Sequence, residues 1–131
     1  MNLIRHVVFF HRPFLTCGDA SQDDSARTLM TPVFESTNVR LVLQGHMHGY
    51  ERFVVPFTSD ASKTITYLTV AGGGGALGNI DENDTRPECA LRVGKSKSYF
   101  FTRIDVGATE ITGRSIKPDG SELDPFTQAL D

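Results

Sequence analysis

Three of the four histidines in this sequence lie in two short motifs that could bind a metal ion. His46 and His48 are separated by one residue in the segment Gly45–Arg52 (GHMHGYER). In extended backbone, residues i and i+2 point to the same side, so both imidazoles can reach one metal ion or two neighbouring ions. The glycines on either side permit a sharp turn and keep side chains away from the imidazoles. The alternative interpretation is a pair of surface histidines without a ligand.

His11 belongs to the second motif, HRP, which directly follows the apolar run Ile4–Phe10. This run predicts a buried strand, and a second apolar run, Val39–Leu43, predicts another buried strand that ends just before Gly45. If the two strands are parallel neighbours, their carboxyl ends meet at one edge of the sheet, where ligands of α/β proteins bind. His11 would then join His46 there, although a single histidine at a strand end is more often structural.

The segment between these strands predicts the connection that parallel pairing needs. Ser25 is a candidate N-cap, and apolar residues recur at helical spacing over Ala26–Phe34, with Pro32 favouring a short or kinked helix. A helix between two strands is typical of a βαβ unit. After His48 the pattern changes to β-type, and its last strands predict an antiparallel meander. The further predicted strands are Thr64–Val70, Ser98–Asp105, Glu110–Ile116 and a short strand near Leu123.

The order of these motifs resembles the second half of the calcineurin-like metallophosphoesterases, and most of all their purple acid phosphatase branch. The shared pattern is a strand ending in H-x-P, a helix, a strand ending in G-H-x-H-x-Y-E-R, and then a strand and a glycine run. The similarity extends from His6 to about Phe126. It implies a β-rich α/β fold that forms half of a four-layer α/β/β/α sandwich, with a mixed sheet, a flanking helix and the C-terminal meander. Residues 1–131 would be the C-terminal part of one domain, without an internal boundary.

The resemblance also implies a hydrolase that cleaves phosphate esters at a centre of two metal ions, commonly iron, zinc or manganese. Carried over by motif, His11 and His46 would bind one ion and His48 the other. Gly45, Tyr50 and Arg52 would shape the loop behind these ligands, and no catalytic residue is assigned.

The same family places three further ligand motifs, D-x-H, G-D-x-x-D and G-N-H-[DE], before the H-x-P strand. Only ten residues precede His11 here, and the look-alike segments at Gly18 and Gly78 lack the required residues and follow His11. We therefore expect a fragment that binds one metal ion weakly or none. An exposed apolar sheet face should make it a homo-oligomer or bring it to a missing N-terminal half. Three functions stay open: an inactive partial phosphoesterase, a hydrolase completed by another chain, and a non-catalytic binding module.

The overall composition excludes several other functions. The 131 residues include 13 Lys and Arg against 16 Asp and Glu, a net charge of −3 without a basic run, so we expect no nucleic-acid footprint. The longest apolar stretch, Val7–Phe10, is too short for a membrane span, and no targeting segment is evident. The compartment is left open.

The remaining motif-like residues have structural interpretations. Cys17 and Cys89 form no CxxC pair, so we expect neither a disulfide framework nor a zinc ribbon and leave their redox state open. For Cys17 we favour a buried or half-buried thiol. The segment Gly73–Gly78 matches G-x-G-x-x-G, but an acidic, turn-rich loop follows it where a dinucleotide site needs a helix. We predict a tight glycine turn. His6 should point away from His11 and serve a structural role.

Overall fold

Two β-sheets and one α-helix make up the structure, a computed structural model that describes residues 4–130. The predicted domain, 1–131, extends past this range at both ends. In chain order the elements are β1 (Val7–Phe10), α1 (Asp24–Ser36), β2 (Leu41–Gln44), β3 (Tyr50–Pro56), β4 (Thr64–Val70), a short 3-10 helix (Pro87–Leu91), β5 (Arg92–Ser96), β6 (Phe101–Val106), β7 (Glu110–Ile116) and β8 (Glu122–Ala129).

The larger sheet is mixed and has the strand order β1-β2-β4-β3-β5. Strands β1, β2 and β4 are parallel, with Phe10 paired to Gln44 at the end of the first pair, whereas β3 is antiparallel to both β4 and β5. The smaller sheet is the antiparallel meander β6-β7-β8. The predicted fold class and the predicted parallel pairing of the first two strands are therefore confirmed.

The helix α1 is longer than predicted and begins at a different cap. The carboxylate of Asp23, not Ser25, accepts the hydrogen bond from the Ala26 amide at 3.0 Å. Pro32 lies on the exposed side and the helix runs through it to Ser36. Only part of the predicted apolar face is packed, because Phe34 is buried whereas Leu29 is 75% exposed.

Two apolar clusters cover the two faces of the larger sheet. Neighbouring residues of a strand alternate between them: Val42 packs with Phe34 of the helix, while Leu41 packs with the smaller sheet. This alternation follows from the two-residue period of a strand. The sheet is thus covered by α1 on one face and by β6–β8 on the other.

Strand β1 departs from the predicted buried strand, because it lies at the edge of its sheet. It pairs only with β2 within residues 4–130. Its outward side chain Phe9 is 79% exposed, and Phe101 on the edge strand of the smaller sheet is 64% exposed. An apolar strip lined by Phe9, Leu43, Val70 and Phe101 therefore lies open to solvent between the two sheet edges.

In the part of the chain that is described, no helix has the length and hydrophobicity needed to cross a membrane.

The expectation that Cys17 is a free thiol is wrong, because Cys17 and Cys89 form a disulfide. Their Cα atoms lie 5.9 Å apart although 72 positions separate them in the sequence. The physical reason is that the acidic loop after β4 folds back over the loop that follows His11. Spacing along the chain carries no information about such a contact between two loops.

Strands β3 and β5 were not predicted, and the last strand is longer than predicted. β3 begins inside the GHMHGYER segment, at Tyr50, so the last part of this motif is a buried strand and not a loop. β5 contains Arg92, Gly94 and Lys95 and therefore lacks the apolar alternation of a typical strand.

Candidate metal centre

His11 and His46 lie side by side at the carboxyl ends of adjacent parallel strands. The Nε2 atom of His11 and the Nδ1 atom of His46 are 3.0 Å apart, and the ring centroids are 5.0 Å apart in an edge-on arrangement. Both side chains are exposed. The structure thus brings together the two histidines that the resemblance assigns to one metal ion.

The backbone between β2 and His46 makes this approach possible. The Gly45 amide donates a hydrogen bond to the His11 carbonyl at 3.0 Å, which extends the pairing of the two strands by one residue. A Cβ atom on Gly45 would lie 3.3 Å from that carbonyl oxygen, tighter than ordinary contact. His46 itself has φ = 68°, in the left-handed region that non-glycine residues seldom adopt. The chain therefore turns sharply at His46.

His48 lies against the glycine run and is oriented by it. Its Nδ1 atom is 2.8 Å from the Ala76 carbonyl oxygen, which can only accept, so Nδ1 carries the proton. The neutral ring then has its free lone pair on Nε2. A Cβ atom on Gly75 would lie 2.7 Å from the ring carbon Cε1, so the glycine lets the backbone pack against the imidazole. Metal-binding histidines are typically oriented by such a hydrogen bond to a carbonyl group.

The chemistry of these residues fits a metal, but their number does not fit a complete centre. Two nitrogens bound to one tetrahedral ion at 2.0–2.1 Å would lie about 3.3 Å apart, close to the 3.0 Å between His11 and His46. However, residues 4–130 contain no group of three or more His, Cys, Asp or Glu side chains arranged to hold a metal ion. His48 is thus outside the pair. The assignment of His11, His46 and His48 as ligands stays a prediction.

Glu51 is a buried carboxylate that the sequence did not single out. It is fully buried, accepts hydrogen bonds from the Thr16 hydroxyl at 2.7 Å and the Cys17 amide at 2.8 Å, and forms an ion pair with Arg92 at 3.0 Å. Burial raises the pKa of Glu51, and these hydrogen bonds oppose the rise only in part. Glu51 therefore ties β3 to the loop after His11. The sequence feature that could have indicated this buried carboxylate is an acidic residue between the aromatic residues Tyr50 and Phe53 of one strand.

Tyr50 and Arg52 fasten the two sheets together. Both donate hydrogen bonds to Asp124 of β8, from the Tyr50 hydroxyl at 2.8 Å and from Arg52 Nε at 2.7 Å. Burial and the Asp124 carboxylate raise the pKa of Tyr50. Burial alone would raise the pKa of Asp124, but hydrogen bonds from Arg52 and Tyr50 outweigh it and leave this pKa lowered. Tyr50 and Arg52 thus lie in the strand that follows the GHMH turn and connect β3 to β8.

The acidic loop after the glycine run is bound to the loop that follows His11. The Asn83 amide donates to the Cys17 carbonyl at 2.8 Å, Arg86 donates to the Thr16 carbonyl at 2.7 Å, and Asp19 binds the Asn79 amide at 2.8 Å. The disulfide lies in the same contact. No helix follows the glycine run directly, since residues 80–85 form turns.

His6 lies outside this site. It is exposed, and its Nδ1 atom is 3.2 Å from the carbonyl oxygen of Thr37, the residue that follows α1. It therefore offers a histidine against which the three candidate ligands can be compared.

Among solved structures, the fold is similar to that of a purple acid phosphatase from yellow lupin (Lupinus luteus) seeds, with a TM-score of 0.76 and 18% identity over 95% of this chain. It is also similar to GAP50, described as the anchor in the inner membrane complex of Plasmodium, with a TM-score of 0.73 and 13% identity over 92% of this chain. The chain spans 25% and 35% of these two proteins. No protein-family model matches, and neither does any curated protein. The similarity shows a phosphatase-like fold.

Proposed function

We propose that this chain supplies His11, His46 and His48 to the binuclear metal centre of a phosphoesterase that hydrolyses phosphate esters. The observation that carries the proposal is the 3.0 Å contact between the His11 and His46 imidazoles at the carboxyl ends of parallel strands. The similarity of this fold to that of the lupin phosphatase supports the reaction class. The sequence motif and the shared fold are independent supports for it.

Each histidine has a distinct part in this proposal. His11 and His46 hold one ion, since their nitrogens already lie near the spacing of two ligands on one ion. His48 holds the other through Nε2, because Ala76 accepts the Nδ1 proton. The chemistry that iron, zinc or manganese ions would supply here, if bound, is polarisation of the phosphoryl oxygen and activation of water for attack on phosphorus. The chain's own role is to hold and orient the three imidazoles.

Further ligands are required before the centre can bind two ions tightly. Coordination number and geometry are set by all ligands together, and carboxylates are the usual additional ligands for such ions. We propose that a further segment or chain supplies them and docks along the open strip between Phe9 and Phe101. The exposed apolar area and the unpaired edge of β1 favour association, either with such a segment or between two copies of this chain.

A non-catalytic role is the second candidate. GAP50 is described as an anchor, and its fold is similar to that of this chain. In this role the chain keeps the scaffold and binds one metal ion or none. The two candidate functions differ in whether a metal-bound chain takes part in hydrolysis of phosphate esters.

Metal titration with a matched control tests the proposal. We would titrate purified chain with zinc by calorimetry and assay hydrolysis of an aryl phosphate, using wild type, His46→Ala and the control His6→Ala. We expect one ion per chain in wild type and in the control, and its loss in His46→Ala. Turnover that also depends on His46 supports the phosphoesterase and contradicts the binding module. Equal zinc binding in all three proteins would refute His46 as a ligand.

A further inference from the structure

Gln44 is a buried amide at the end of β2, two residues before His46. Its side chain is almost entirely inaccessible, and every hydrogen of its amide group is used. Oε1 accepts from the Phe14 amide at 3.0 Å, and Nε2 donates to the Leu15 carbonyl at 2.5 Å and to the Thr69 hydroxyl at 3.0 Å. A buried glutamine with this set of partners connects three parts of the chain.

The hydrogen bonds of Gln44 replace strand pairing where β1 can no longer provide it. β1 ends at Phe10, and Pro13 has no amide hydrogen to donate. Beyond this proline, the Gln44 amide bonds to one backbone N–H and one backbone C=O of consecutive residues, much as a paired strand would. The chain after His11 is thereby held against the end of β2.

His11 is consequently fixed on both sides. Before it, Phe10 pairs with Gln44 in the sheet, and at His11 itself the carbonyl accepts from the Gly45 amide. After it, Phe14 is bound by the Gln44 side chain. Residue Gln44 therefore holds the His11 turn through both its backbone position and its side chain, one residue from the Gly45–His46 turn.

We propose that Gln44 is a positioning residue that keeps the His11 and His46 imidazoles within hydrogen-bond distance and so sets the affinity of this pair for a metal ion. It acts through the backbone of Phe14 and Leu15. The part of the inference that concerns metal rests on the proposed function, whereas the part that concerns the ring contact does not.

An amide is the side chain that this position requires. Phe14 and Leu15 are 5% and 1% exposed, so their backbone groups have little access to water. A carboxylate would lack the donor for Leu15, and an apolar side chain would leave both backbone groups unpaired. The loop should then shift to reach water or another partner, and His11 should shift with it.

Gln128 is a matched control, because it is also a buried glutamine but lies elsewhere. It is 5% exposed, accepts from the Thr66 hydroxyl at 2.7 Å and donates to the Ala129 carbonyl at 2.9 Å. Gln44→Met and Gln128→Met remove the same chemical group from two buried places. Both should lower the thermal unfolding midpoint, so a general loss of stability is present in both variants.

The test combines two measurements on the whole chain. At about pH 8, where free imidazole is neutral, the ring 15N chemical shifts of His11 and His46 report which nitrogen donates and which accepts in their contact. Zinc titration by calorimetry reports the affinity. We expect Gln44→Met to abolish the shift pattern of the paired rings and to lower zinc affinity about 10- to 100-fold, and Gln128→Met to change neither.

Three outcomes decide the matter. Unchanged ring shifts in Gln44→Met, or equal changes in Gln128→Met, would overturn the positioning role. If wild type binds no zinc, the part of the inference that concerns metal fails, while the ring shifts still test the role of Gln44. If Gln44→Met does not fold, Gln44→Glu decides instead: it keeps the shape of the side chain but removes the donor to the Leu15 carbonyl, and ring shifts identical to those of wild type would overturn the inference.

Discussion

Removing the disulfide between Cys17 and Cys89 should destabilise the chain by about 4 kcal/mol. The bond closes a long loop, since 72 positions separate the two cysteines. The loss of chain entropy in the unfolded state grows with the logarithm of loop length and is about 15 cal/mol/K for a loop of this size. Multiplied by room temperature, this gives the quoted free energy.

In the folded state, hydrogen bonds between the same two loops remain when the disulfide is removed. The contacts of the same two loops, from Asn83 to the Cys17 carbonyl and from Arg86 to the Thr16 carbonyl, are hydrogen bonds worth about 1 kcal/mol each. They should keep the folded loops in place when the disulfide is absent. Most of the effect is then expected in the unfolded state, so the folded spectrum should change little.

Urea unfolding is the assay. The oxidised chain is compared with the double variant Cys17→Ser and Cys89→Ser, and with wild type in excess reductant as a control for the serine substitutions. Both should unfold at lower urea, and the slope of the transition should rise because the unlinked chain exposes more surface. A free-energy difference below about 1 kcal/mol, or a mass spectrum of the untreated chain with two free thiols, would refute this account.

Three other perturbations have expected results. Asp124→Asn removes the charged partner of Arg52 and should lower the free energy of unfolding by about 1–2 kcal/mol at neutral pH. Because the pKa of Asp124 lies below its ordinary 3.8, the wild type loses this stabilisation as the pH falls below about 4. The urea unfolding curves of wild type and variant should therefore converge at low pH. Gly75→Ala puts a methyl group against the His48 ring and should displace that ring, visible in its 15N shifts, with Gly73→Ala, which has open space, as the control. Phe9→Lys should shift light scattering towards the monomer, because a charge replaces the exposed aromatic ring of the edge strand. Scattering equal to that of wild type contradicts association through β1.

The parts of the fold that sequence predicted are those set by local patterns. Apolar runs of four to seven residues mark β1, β2 and β4, and the segment from Ala26 to Phe34 has helical spacing, so the βαβ unit and the adjacency of His11 and His46 follow. The antiparallel meander was predictable too, because the turn residues between its strands are also a local pattern. Motifs at strand ends are accessible to such reasoning because parallel pairing brings them together.

Contacts between distant loops and strands were beyond local reasoning. The Cys17–Cys89 disulfide, the ion pair of Glu51 with Arg92, and the carboxylate of Asp124 all join residues at least 41 positions apart. Each depends on how whole loops pack, and no local pattern encodes this. The strand β5 was missed because charge and glycine, not apolar alternation, make up its sequence.

The candidate ligands are held by the chain itself, and this bears on how a complete centre would form. His11 and His46 are joined through backbone pairing at Gly45, and His48 is oriented by the Ala76 carbonyl. None of these contacts requires a metal ion. A preorganised site loses less entropy when its ligand arrives, so additional carboxylates should raise affinity without rearranging the histidines. If the proposed function holds, further ligands would determine how tightly metal is bound, while the placement of the three imidazoles is already determined by this fold.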